Sequence, residues 1–181
     1  MLQKKTYIQA AEQISMQEPL SLKWMENPII YTNELVKSID PPFKDYLSIG
    51  EARRMGSLLK RALITTIKIL KESNIEHPDA IISGTGLGCM ESSEIFLESL
   101  ATHFMQSTHN TIGSTLAIYT KTHGYNTTYS HSKISFDLAL YEAYIQMQLG
   151  KITNALVGGY DQMNEHYFNL LKKCGYVGVK G

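Results

Sequence analysis

GYNTTYSHSKISFDLALYEAYIQMQLGKITNALVGG, residues Gly124 to Gly159, is the stretch on which the fold turns. Its opening is rich in Thr and Tyr, which predicts a short strand over residues 126–130. A sharp turn follows, then a helix from about Lys133 to Leu149 that Gly150 ends, then an apolar strand from Ala155 to Val157 that stops at Gly158-Gly159. The helix is the unusual part. Ile134, Phe136, Leu138, Ala139, Leu140, Ala143, Tyr144, Ile145, Met147 and Leu149 do not fit one narrow stripe. A helix that is apolar nearly all round is normally buried on all sides. The expectation is therefore a buried central helix whose N-terminus, the positive end of its dipole, lies in the interior.

Outward from this unit the same layering continues. Residues 80–83 (AIIS) read as a buried strand leading into Gly84-Thr85-Gly86-Leu87-Gly88-Cys89. A helix is expected over residues 91–103, and another from an Asn110 cap to near Gly124. Upstream, Ser48 and Glu51 form a capping box for a helix running to about Ser73, closed by Asn74 and Pro78. Residues 5–11 suit a first strand, residues 14–42 carry weak signals, and a short helix over residues 162–173 is closed by Gly175. Strands alternating with helices predict an α/β layer architecture within one domain over residues 1–181.

Composition narrows the function classes. The chain has 181 residues, 17 basic and 17 acidic, with 43% hydrophobic residues, enough for one sizeable core. The neutral balance and the lack of a Lys/Arg run argue against a nucleic-acid partner. No stretch is long and apolar enough for a membrane span, and the first residues lack the apolar run of a signal peptide. Cys89 and Cys174 make no disulfide framework, which fits a reducing cytoplasm. The six histidines show no metal-ligand spacing, and no bound cofactor is expected.

Several residues invite chemistry. Gly84 to Gly88 resembles a dinucleotide fingerprint, but the third glycine would fall on Cys89, and a tight strand-to-helix turn is the plainer reading. Cys89, between a glycine turn and a helix, sits where a thiol can be activated, yet no partner base is identifiable and packing is the simpler role. Lys133 at the start of a buried helix needs a counter-charge, and Asp137, one turn on, is the expected partner in an ion pair. His131 is close enough in sequence to line the same pocket.

Glu142-Ala143-Tyr144, Gly150 and the ALVGG of residues 155–159 resemble the β-ketoacyl synthase branch of the thiolase superfamily. The Gly-Thr-Gly-Leu-Gly turn, and Phe104, Ser107, Asn110 and Ile112 after it, are similar to further parts of that pattern, so the resemblance covers most of residues 50–160. Counting back from Glu142 without a gap places the family's nucleophilic cysteine at Lys133, within Ser130-His131-Ser132-Lys133-Ile134-Ser135-Phe136. The resemblance implies one half of a thiolase-like fold, a mixed and mainly parallel sheet flanked by helices. In the family the acid–base residues come from a second half, and this sequence ends at Gly181, so neither nucleophile nor acid–base pair is expected here.

What the resemblance then implies is a non-catalytic subunit of the chain-length-factor type, similar to short ketosynthase-like proteins of aryl-polyene and flexirubin pathways. Its partners would be a ketosynthase or a second copy of itself, and an acyl carrier protein whose phosphopantetheine carries the growing chain. The pairing edge would be residues 126–130, with Thr127, Thr128 and Tyr129, together with part of residues 104–110. The alternative is an active 3-oxoacyl synthase or acyltransferase that uses Lys133, Ser132 or Cys89, or whose second half another polypeptide supplies.

Overall fold

The computed structural model describes residues 5–21, 23–24, 26–98 and 104–177. Two helices open the regular structure, α1 (Ile49–Arg54) and α2 (Ser57–Ser73). Then follow β1 (Ala80–Gly84), α3 (Met90–Glu98), α4 (Phe104–Ser107), α5 (Thr111–Thr120), β2 (Tyr125–Tyr129), α6 (Ser135–Gln148), β3 (Leu156–Gly159) and α7 (Glu165–Lys173). Short 3-10 turns occupy Phe43–Asp45 and Ser132–Ile134.

The sheet has the order β2-β1-β3, and both pairings are parallel. All five residues of β1 are buried, as a central strand covered on both faces requires. Its pleat divides the core in two. Ile81 packs into a cluster with Leu59, Leu63, Ile112 and Leu116 from α2 and α5. Ala80 and Ile82 point the other way, onto Ala139 and Ala143 of α6 and onto Ile152. The helices therefore form two layers with the sheet between them, the α/β architecture expected.

α2 is the most deeply set helix, with Leu58, Leu59, Ala62, Leu63, Ile64, Thr66 and Ser73 all buried. The buried hydroxyl of Thr66 donates to the Ala62 carbonyl at 2.8 Å, so it costs the core no unsatisfied donor. The Ser48–Glu51 capping box is present in both directions, and Asn74 ends α2 in the left-handed conformation at φ 54°. The single helix expected from Ser48 to Ser73 is broken into α1 and α2. Met55 and Gly56 both adopt extended backbone, and the Gly56 amide donates to Gln106 Oε1 at 3.1 Å instead of continuing a helix.

Other expectations need correction. Residues 5–11 form no strand. The described residues between 5 and 42 form no helix or strand and are tied down by side chains. Glu12 pairs with Lys68 at 2.8 Å, Gln9 Nε2 donates to the Ser73 carbonyl at 2.8 Å, and Asp40 takes a bidentate contact from Arg61. Asn110 precedes α5, but its side chain makes no cap; Lys121, left-handed at φ 53°, ends that helix before Gly124 is reached. The last part of the helix expected over residues 91–103 falls outside the described residues.

The largest correction concerns α6. It crosses the sheet centrally, packing on all three strands, but it is not buried on all sides. Its buried residues are Ser135, Ala139 and Ala143, a stripe of small side chains four residues apart that lets the helix backbone lie close to the sheet. Phe136 is 47% exposed and Tyr141 62%, with Ile134 and Leu140 also exposed. Leu138, Tyr144, Ile145 and Met147 are half-buried, Met147 against the core beneath α6. No helix among the described residues is long and apolar enough to cross a membrane.

Candidate functional site

The carboxyl ends of the three parallel strands converge on one group of loops. β1 runs into the glycine loop of residues 84–88, β2 into the turn that starts α6, and β3 into Tyr160 and Asp161. The chain leaves β1 towards one neighbour and later returns on its other side, and such reversals in open α/β sheets leave a crevice beyond the strand ends.

Two glycines make the loops meet. A Cβ at Gly84 would lie 2.4 Å from the Ser135 carbonyl oxygen, and one at Gly86 would lie 2.4 Å from that of Ser132. Neither has positive φ, so close backbone approach explains these glycines. The loop's donors are also already engaged. Asp161 Oδ1 accepts from Thr85 Oγ1 at 3.0 Å, from the Gly86 amide at 2.8 Å and from the Leu87 amide at 2.7 Å. The Gly88 amide donates to Thr85 Oγ1 at 2.8 Å. Successive amides aimed at one point form an anion nest, and here the anion is the protein's own carboxylate.

The facing turn carries the residues that drew attention in the sequence. Ser132 is left-handed at φ 43° and exposed. Buried Ser135 braces it, accepting from the His131 amide at 2.9 Å and donating to the Ser132 carbonyl at 3.2 Å. His131 and Lys133 are exposed as well, so the interior setting expected for them is wrong. Lys133 makes no ion pair with Asp137 among the described residues. Its ammonium stays in water and needs none, while Asp137, in the first turn of α6, complements the helix dipole. No nucleophile–base pair forms at this turn among the described residues.

Cys89 packs in the core, 6% exposed, and burial, with the Glu91 carboxylate adding to it, pushes its thiol up to about 11. Phe104 is half-exposed on α4, where Ser107 Oγ donates back to its carbonyl at 2.8 Å; Asn110 is exposed. Gln106, between them, ties α4 to the start of α2, and the His109 ring lies 3.5 Å from where a Gly88 Cβ would be. No local signal marks His109 or Asp161 as residues of this site. Asp161 stands 75 residues from Gly86 in the chain.

β2 has β1 on one side and, among the described residues, no strand on the other. The Tyr129 carbonyl accepts from the Thr85 amide at 2.9 Å, on the β1 side. Backbone groups alternate along a strand, so those of Thr128 point to the open edge. On the α6 face, Tyr125 donates to Glu142 Oε1 at 2.9 Å and Gln146 does so at 2.6 Å. Desolvation, the Glu142 carboxylate and Tyr125 push the Tyr129 hydroxyl up to about 12. Thr127 and Tyr129 are half-buried on that face.

No protein-family model matches the chain. No curated protein matches it either. Among solved structures it is similar to the ishigamide ketosynthase/chain length factor, with TM-score 0.67 and 19% identity over 78% of this chain and 44% of that one. It is also similar to the ketosynthase ApeO in complex with its chain length factor ApeC from Xenorhabdus doucetiae, with TM-score 0.56 and 18% identity over 70% of this chain and 38% of that one. A third is the AntDE:AntF assembly, a type II polyketide acyl-carrier protein in complex with its ketosynthase, with TM-score 0.63 and 14% identity over 74% and 42%. The chain has a ketosynthase-like, thiolase-type fold. It spans less than half the length of each of these structures. In that frame the glycine loop, the turn at Lys133 and the Gly-Gly strand end are the parts of the fold surrounding the crevice.

Proposed function

We propose that this chain is a non-catalytic, chain-length-factor-type subunit that pairs with a ketosynthase and shapes the pocket for an acyl chain on acyl carrier protein. The observation that carries the reading is the turn at residues 131–135. The resemblance puts a nucleophilic cysteine there, and this chain has an exposed Lys133 without a base beside it. Condensation needs a thiolate to take the acyl group and donors to hold the enolate. Cys89, buried and with its thiol raised, is no substitute. Solved neighbours that include a ketosynthase with its chain length factor, and a ketosynthase with its carrier protein, support the choice of partners.

The outer face of α6 supports association. Ile134, Phe136, Leu140 and Tyr141 leave apolar area in water, and exposed apolar area of that kind marks interfaces, while β2 at the edge of the sheet keeps unpaired backbone groups. The partner in the cell is a ketosynthase subunit, in the cytoplasm, with aryl-polyene or flexirubin-type acyl chains as the product class; in isolation a second copy takes its place. Light scattering at micromolar concentration tests the pairing. A dimer is expected for the wild type and a monomer for Thr128→Pro, because proline removes an outward amide and spares the β1 ladder. A wild-type monomer that also ignores a co-expressed type II ketosynthase would sink the reading. For the chemistry, intact-mass spectrometry after exposure to acyl-thioesters should show no adduct. A stoichiometric acyl group on Ser132, Lys133 or Cys89 would establish the enzyme instead.

A further inference from the structure

The glycine loop binds an anion that is part of the chain. We propose that Asp161 is the positioning residue of the crevice: its carboxylate accepts from the Thr85 hydroxyl and fills the nest of the Gly86 and Leu87 amides, and so holds the turn that carries Lys133. The link from one to the other is steric and short. Asp161 fixes the Gly86 and Leu87 amides at 2.8 and 2.7 Å, and Gly86 lies so close to the Ser132 carbonyl that not even a methyl group fits between them. Thr85 extends the same network, donating to Asp161 through its hydroxyl, accepting the Gly88 amide on that oxygen, and receiving β2 through its own amide. Tyr160, next to Asp161, donates its amide to the Gly84 carbonyl at 2.9 Å and is buried in the core, so the carboxylate is delivered from a fixed base. One side chain thus joins the ends of all three strands. The proposal rests on the reading above only in taking this turn as the functional one, and its test uses the isolated chain, without ketosynthase or carrier protein.

The chemistry to be recognised is a small oxyanion, and formate is the probe. In Asp161→Ala the nest loses its acceptor. Amide exchange at Gly86 and Leu87 should quicken roughly tenfold to a hundredfold, the loss of a hydrogen bond to a charged acceptor. The amide resonances of His131, Ser132 and Lys133 should move, while those of Ile112 and Leu116 stay. Formate, at concentrations where chloride has no effect, should reverse both changes by taking the vacated place. Asp161→Asn keeps one acceptor oxygen and should fall between the two. Unmoved resonances at residues 131–133 in Asp161→Ala, or equal responses to formate and chloride, would overturn the proposal. Should Asp161→Ala fail to fold, exchange in Asp161→Asn decides: protection of Gly86 and Leu87 equal to wild type refutes the nest, and reduced protection upholds it.

Discussion

Replacing three glycines by alanine, one at a time, tests whether close approach of two backbones organises the crevice. At Gly84 the new methyl would lie 2.4 Å from the Ser135 carbonyl oxygen, 2.5 Å from its carbon and 2.6 Å from the Phe136 nitrogen. At Gly86 it would meet the Ser132 oxygen at 2.4 Å, but the next atoms stand off at 3.0 Å. Against an ordinary carbon–oxygen contact of about 3.3 Å, either substitution overlaps by nearly 1 Å. The obstacle is backbone at the start of a helix and cannot rotate aside. Neither glycine has positive φ, so alanine brings no conformational strain and the effect is steric alone. Overpacking of this kind costs about 1–3 kcal/mol and sometimes more. In a chain of this size each kcal/mol lowers the melting temperature by roughly 2–4 °C. Gly84→Ala, blocked by three backbone atoms, belongs at or above the top of that range, with Gly86→Ala below it. Gly50, inside α1 with nothing within 4 Å, is the control. There alanine should stabilise by about 0.5–1 kcal/mol, because it removes freedom from the unfolded chain. Differential scanning fluorimetry ranks the three. A Gly84→Ala variant that melts with the wild type, or no difference between Gly84→Ala and Gly50→Ala, would refute the packing of the glycine loop against the start of α6.

Three further outcomes follow from the same coordinates. Ala143, 3% exposed where α6 meets β1, cannot accept a charge: Ala143→Asp should cost about 3–5 kcal/mol, and normal soluble yield with an unchanged melting temperature would contradict that placement. Ellman's reagent at pH 8 should titrate exposed Cys174 in the native protein and reach Cys89 only after denaturation, since burial holds that thiol at about 11; two fast thiols would contradict it. The Thr153 hydroxyl, with the Thr153 and Asn154 amides, keeps the Asp79 carboxyl below its ordinary 3.8. Its folded value is lowered, so its stabilisation is complete above the unfolded value and disappears as the pH falls through the folded one. The drop in urea midpoint between pH 6 and pH 3 should therefore be smaller in Asp79→Asn than in wild type, and equal drops would dismiss the linkage.

Much of the fold could be read because its signals are local. Ser48 with Glu51 is a capping box whatever surrounds it, and Asn74 ends a helix because it tolerates the left-handed conformation. AIIS before a glycine turn reads as a buried parallel strand, and β1 is that strand. Local signals fail where distant residues decide. Gly56 breaks the first helix in two because Gln106, 50 residues on, takes its amide. Residues 5–11 have strand-forming composition, yet a strand also needs a neighbour, and contacts such as Gln9 with Ser73 hold the segment elsewhere. The glycine loop was recognisable as a turn, while the reason for it was not, since Asp161 reaches it from beyond β3.

The misreading of α6 leads furthest. Hydrophobicity on every face of a helix predicts burial on every face, and composition gives no clue to which molecule does the burying. The residues of α6 that are fully buried are Ser135, Ala139 and Ala143, and these are the small residues of the helix. A surface helix normally does the reverse, turning large apolar side chains inward and polar ones to water. Here Phe136, Leu140 and Tyr141 look outward, and two of them are flanked by polar side chains, Asp137 and Glu142, too few to make that face hydrophilic. Exposing such residues gains the isolated chain nothing, because their transfer from water would be worth about 1.5–3 kcal/mol each. The pattern is economical only when another surface meets that face. The open edge of β2 has a similar requirement in its unpaired backbone groups. Lys133 is exposed and keeps its water, whereas in the interior expected from the sequence it would have needed Asp137, with which it makes no ion pair among the described residues.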